Sequence, residues 1–110
     1  MSKAAYWQRG EALDYANKTG ATIDENTIVK LGTTRIGVAG TDIPNGTVGS
    51  VHVEGVYKIK KTAAGAIDLG AAVYFDGTGI TTDATSNTPA GYAAAAAEAA
   101  DDTVLVKLLG

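Results

Sequence analysis

The chain has 110 residues, 45% hydrophobic and 6% aromatic, with 14 glycines, 2 prolines, no cysteine and a formal net charge of −3. A single domain of that size removes roughly two thirds of its unfolded surface from water, and without thiols it has no disulfide, no thiolate metal site and no cysteine nucleophile. No apolar run approaches the roughly 20 residues of a membrane span, Met1 to Gly10 lacks the apolar centre of a signal peptide, and the acidic balance argues against a nucleic-acid surface.

Met1 to Arg9 precedes any strand signal and holds Tyr6 and Trp7, the latter the only tryptophan. It is predicted to be a flexible N-terminal arm (residues 1–9) whose aromatic pair anchors in a partner's pocket; the alternative is that Trp7 folds back over the domain. Residues 10–110 read as a single β domain. Ala12 to Ala16 is the first strand candidate. A short phrase is then written three times: Ile23-Asp24-Glu25-Asn26, Ile43-Pro44-Asn45-Gly46 and Ile67-Asp68-Leu69-Gly70 each place an apolar residue before a turn and a strand after it. Pro pre-sets the turn, and Gly or Asn tolerates the positive φ that closes one.

Thr27 to Leu31 and Arg35 to Ala39 are strands joined through Gly32-Thr33-Thr34. The clearest period of two runs from Val48 to Lys60, with Val51, Val53, Gly55, Tyr57 and Ile59 on one face and Ser50, His52, Glu54, Lys58 and Lys60 on the other. It reads as one long strand. Ala72 to Phe75 turns at Asp76-Gly77-Thr78-Gly79 into Ile80 to Thr82, and Asp-Gly between β-rich runs signals a hairpin. Ala93 to Ala100 is alanine apart from Glu98; a run this short has no amphipathic face to bury as a helix. Tyr92 to Ala95 is therefore read as strand and Ala96 to Ala100 as a loop or one helical turn. Thr103 to Leu109 is the last strand. The expected fold is all-β, a small Gly-rich β-barrel or sandwich of about eight strands spaced at turn intervals.

Charge is uneven. Met1 to Lys61 holds eight Lys or Arg against six acids, whereas Thr62 to Gly110 holds Lys107 alone against six. Such polarity favours head-to-tail contact between copies, unless it is simply solvated charge. Lys58, Lys60 and Lys61 form the one basic cluster, as expected of a strand edge guarded against aggregation.

Catalytic constellations are missing. Gly65 and Gly70 have the glycine spacing of a phosphate-binding loop, but Ala71-Ala72 stands where its lysine and hydroxyl should be. His52 and Glu54 share a strand face and are the one candidate acid–base or metal pair, yet no third group is nominated. Asp76 and Asp83 flank a glycine-rich turn without the alternating acids of a calcium loop. No catalytic or metal residue and no cofactor is therefore assigned.

Taken in order, Gly10-Glu11-Ala12-Leu13-Asp14-Tyr15-Ala16-Asn17, Val51-His52-Val53-Glu54-Gly55-Val56-Tyr57, Ala72-Val73-Tyr74-Phe75-Asp76 and Asn87-Thr88-Pro89-Ala90-Gly91-Tyr92-Ala93 resemble the successive blocks of a family of tailed-bacteriophage capsid cement, or head decoration, proteins. The family has also been described as recombinase-like, a label that the absent phosphate-loop lysine does not support. The resemblance implies a non-enzymatic protein on the capsid exterior of the virion, made in the host bacterial cytoplasm. It further implies binding to the major capsid protein as a homo-oligomer, with a trimer favoured, and no nucleic-acid or membrane partner. On that reading Tyr6, Trp7, Arg9, Lys58, Lys60 and Lys61 are candidate capsid or subunit contacts. The alternatives are a β-module displayed for host-surface or carbohydrate binding, with Trp7, Tyr57, Tyr74 or Tyr92 as platforms, and an accessory enzyme using His52 and Glu54.

Overall fold

Four tight turns organise the chain. In each, the N–H of the fourth residue donates to the C=O of the first: Thr27 to Asp24, Thr47 to Pro44, Ala71 to Asp68 and Asp101 to Glu98. In the first three, the third residue takes positive φ (Asn26 70°, Gly46 82°, Gly70 83°), which a type II turn requires. The residues just before the turns are Ile23, Ile43, Ile67 and Ala97, and they pair off through single antiparallel bridges, Ile23 with Ile43 and Ile67 with Ala97. The phrase expected three times is thus present four times, its last copy inside the alanine run.

This computed structural model describes residues 2–109, so Met1 of the expected arm and Gly110 of the expected domain lie outside the described residues. Among these, nine strands form two antiparallel sheets: β1 (Ala12–Ala16), β2 (Ile28–Leu31), β3 (Arg35–Ala39), β4 (Val48–His52), β5 (Val56–Lys60), β6 (Ala72–Phe75), β7 (Ile80–Thr81), β8 (Thr88–Ala93) and β9 (Thr103–Leu108). Sheet I has the order β1-β4-β3-β2 and sheet II the order β5-β9-β8-β6-β7. The all-β expectation holds, in its sandwich form. The long strand Val48 to Lys60 does not: it breaks at Val53 to Gly55, where Gly55 takes φ 113°, and its two pieces enter different sheets. Period two survives the break, because Val53 and Ile59 are both buried. The strand expected through Ala95 ends at Ala93, and the alanines beyond it form a loop rather than a helical turn.

The two sheets are copies of one plan. Ala12 faces His52, His52 faces Val38 and Val38 faces Ile28 across sheet I; Val56 faces Lys107, Lys107 faces Tyr92 and Tyr92 faces Ala72 across sheet II. With Ile23 and Ile43 set against Ile67 and Ala97, these rows superpose residue for residue apart from one extra residue before β9. The first half (β1 to β4) and the second (β5 to β9) are therefore an internal duplication. Its main irregularity is the β6–β7 hairpin, which has no counterpart in the first half. Ile80 of that hairpin bridges in parallel to Lys61, drawing the free edge of sheet II back toward the chain that follows β5.

Each half has an inner face closed by its bridged loops. Val29, Ala39 and Val51 lie under Ile23 and Ile43 in one cluster; Ile59, Val73, Val104, Val106 and Leu108 join Ile67 and Ala97 in the other. Full burial of such side chains stabilises by about 1.5–3 kcal/mol each. Ile36 and Val38 point the opposite way, from the outer face of sheet I into the second cluster, and so join the halves. The duplication reaches the buried polar groups. Asn17 donates to Ala21 O (2.7 Å) and Ile43 O (2.7 Å), while Lys61, at the equivalent position after β5, donates to Ala63 O (2.8 Å) and Ala99 O (3.3 Å). Each fastens the end of its strand to the bridged loops, and a buried polar side chain is tolerated only when so partnered.

Two packing details differ in size but not in place. A Cβ on Gly49 would lie 2.5 Å from Ile43 Cγ1; the equivalent pair in the second half is Val104 and Ala97, so the large residue has changed sides. Ile43→Ala is expected to cost about 2–5 kcal/mol through the cavity it leaves, and Gly49→Val to be destabilising through overlap. The double variant should unfold with a smaller loss than the two added together, measured as a double-mutant cycle of denaturant unfolding. Gly37 and Gly91 are also equivalent. A Cβ on Gly37 would overlap the movable Val51 side chain, whereas one on Gly91, at φ 141°, would overlap the Lys107 carbonyl oxygen. Gly91→Ala should therefore lose about 3 kcal/mol and Gly37→Ala less, because backbone cannot yield as a side chain does.

Candidate interaction surfaces

The residues that precede β1 carry no strand, and 2–9 are exposed throughout. Tyr6 is 83% and Trp7 87% exposed, so Trp7 does not fold back over the domain. Arg9 lies 3.8 Å from Glu11 in an exposed ion pair, a contact of little stabilising value that leaves the guanidinium available. Two large aromatics held in water at this density are an unused apolar surface.

The basic cluster divides. Lys58 and Lys60 are exposed on β5, one of the two edge strands of sheet II, on its outer face. Lys61 is only 7% exposed, because its ammonium turns inward to the loop carbonyls described above. It is not part of that surface. The outer face of sheet II also carries Val56, Leu105 and Tyr92, all exposed. A groove of about 380 Å³ runs along the β5 edge where the halves meet, between Ile28 and Val38 on one side and Tyr57 and Ile59 on the other.

The acid–base candidates do not assemble. His52 ends β4 with its ring over Gly40, where an added Cβ would lie 2.6 Å from Nε2, while Glu54 lies in the turn beyond. Among the described residues no three His, Asp or Glu side chains come together as metal ligands would. Asp76 is committed to its own hairpin: its carboxylate accepts from Thr62 Oγ1 (2.6 Å), Thr78 N–H (2.8 Å) and Gly79 N–H (2.8 Å). The Thr62 hydroxyl, then the Gly79 and Thr78 amides, hold its carboxyl below the ordinary value of 3.8. The charge polarity along the sequence also dissolves in the fold. β5 brings Lys58, Lys60 and Lys61 into the second half, which then has four lysines against six acids, and the first half has five Lys or Arg against six.

What the structure presents is therefore a strand scaffold with outward aromatics and a sheet face on which exposed Val56, Leu105 and Tyr92 alternate with lysines. The phage cement protein family model matches residues 7–108, running from Trp7 through every strand of both halves. The chain belongs to the phage cement protein family. No curated protein and no solved structure matches it. A cement protein has a structural role on the capsid, which agrees with side chains spent on turns, bridges and surfaces. The internal duplication lay beyond the reach of sequence reading, because its fourth turn is written in alanines; the spacing of Gly37 and Gly91 from Ile43 and Ala97, six residues in each case, was the available signal.

Acid sensitivity follows from Asp76. Its ionised form is favoured by folding, so its contribution is present above the ordinary value of 3.8 and is lost as pH falls through the lower folded value. Thermal melts across acidic pH should show a decline that Asp76→Asn makes shallower, with the variant less stable than the parent at neutral pH.

Proposed function

We propose that this cement protein binds the outside of an assembled phage head and stabilises contacts between capsomers of the major capsid protein. It acts without catalysis, as a homo-oligomer with a trimer favoured, after synthesis in the host bacterial cytoplasm. The observation that carries the reading is the family match beginning at Trp7, together with the exposure of that residue and Tyr6. Residues 1–9 act as the contacting arm and the strands as the domain that displays it. Tyr6, Trp7 and Arg9 enter the capsid surface, and Lys58 and Lys60 lie over acidic capsid groups; Lys61, committed to internal carbonyls, is set aside.

The physics suits a cement. An extended segment added to a sheet edge gains main-chain hydrogen bonds without a shaped pocket, and linking several weak contacts in one oligomer raises avidity by about 10²–10⁴. A sugar platform is less well supported. Tyr57 lies opposite Val106 on the inner face and Trp7 is outside the sheets, while Tyr74 and Tyr92 fall together on the outer face of sheet II, so the four aromatics do not share one surface.

Adding the purified protein to capsids that lack it should raise the temperature at which they rupture, with co-sedimentation of the two. Deleting residues 1–9 should leave the melting temperature of the isolated protein unchanged and weaken capsid binding at least tenfold. Unaltered rupture temperature and no co-sedimentation of the full chain would reject the reading.

A further inference from the structure

The joint between the halves brings unlike faces together. The first half offers the outer face of sheet I through Ile28, Ile36 and Val38, and the second offers its inner side, where Tyr57 and Ile59 line the joint. The halves share one register along the rows of Ile28 and Val38, and there each joined residue has a counterpart that the joint leaves over; Ile36 is the exception, because its counterpart Ala90 falls at the register shift between β6 and β8 and is buried. The counterparts of Val38 and Ile28 are Tyr92 and Ala72, on the outer face of sheet II. Val38 is 4% exposed and Tyr92 42% exposed. On that same face Leu105 pairs with Lys58, and both Leu105 and Val56 are exposed. The counterparts of Tyr57 and Ile59 are Leu13 and Tyr15, on the inner face of sheet I. Ile59 is buried, whereas Leu13 is exposed and Tyr15 only half-buried, beside a groove of about 260 Å³ that runs to Ile23 and Val29.

We propose that a second copy of this chain seats the outer face of its sheet II, centred on Tyr92, on the inner face of sheet I beside Leu13 and Tyr15. The contact repeats between molecules the joint already made within one. The internal joint is what identifies the occupant: the chain itself carries the surface that fits the equivalent face. Apolar side chains supply the attraction; Lys107, in the row between Val56 and Tyr92, donates to Leu108 O (3.0 Å), and Lys58 on the edge strand stays hydrated at the rim. Such a contact is heterologous, each copy giving one face and receiving on the other, so it closes into a ring or continues as a filament according to the rotation per step.

The test is made on the full chain without capsids, so its outcome is separate from that of the capsid reading. In sedimentation velocity the wild type should associate beyond the monomer with rising concentration. Tyr92→Glu and Leu13→Glu, both at exposed positions, should each sediment as monomers with an unchanged melting temperature. Mixing the two variants should restore a dimer and nothing larger, because each supplies the face that the other has lost. Tyr92→Ser replaces Tyr92→Glu if the charge disturbs folding. A wild type that stays monomeric at high micromolar concentration overturns the proposal, as does an oligomer that neither substitution weakens or a mixture that remains monomeric.

Discussion

Everything in this fold depends on two single bridges, Ile23 with Ile43 and Ile67 with Ala97. Each bridge holds two turns side by side and lays an apolar residue pair over the inner face of its sheet, so that one short contact both closes the loops and covers the core. Backbone hydrogen bonds run in both directions across each, at 2.8–2.9 Å in the first and 2.8 Å in the second. Without them the inner faces of two small sheets would meet water, and sheets of so few strands have little else to bury. Asn17 and Lys61 tie the preceding strands to the same loops, and for that reason both are buried despite their polarity.

The strands themselves were legible where turn chemistry and alternation agreed. Asn26, Gly46 and Gly70 mark their turns by a conformation few residues tolerate, and Asp76-Gly77 marks its hairpin. Alternation failed at Val53 to Gly55 because a break of three residues preserves the facing of the side chains beyond it, so a strand leaving one sheet and entering another keeps the same period. The alanine run hid the fourth turn for a different reason: Val104 stands where the first half has Gly49 and is buried in the same cluster as Ala97, so a small residue suffices at position 97. Lys61 could not be told from Lys58 and Lys60 by spacing, since its inward turn depends on carbonyls of Ala63 and Ala99, one of them far along the chain. The outward aromatics were readable because they precede the first strand.

A cement protein's structural role on the capsid is served by polar side chains committed to the fold itself. Several are distributed among turns: Asp42 accepts from the Glu25 amide, Asn45 from Gly20, Asp83 from Thr85 and Asp101 from Glu98. Each fixes the course of a loop at the surface. Loops fixed in this way leave less to be ordered when a partner binds, which limits that part of the cost of binding.

The duplication also bears on how the chain is made. Every strand of sheet I finds its partner within the first half, and so does the bridge that covers it. The amino-terminal unit can therefore complete its hydrogen-bonded ladder while the remainder is still emerging from the ribosome. Ile36 and Val38 then stay uncovered until the later strands arrive, giving nascent chains a brief window of adhesiveness between synthesis and completion.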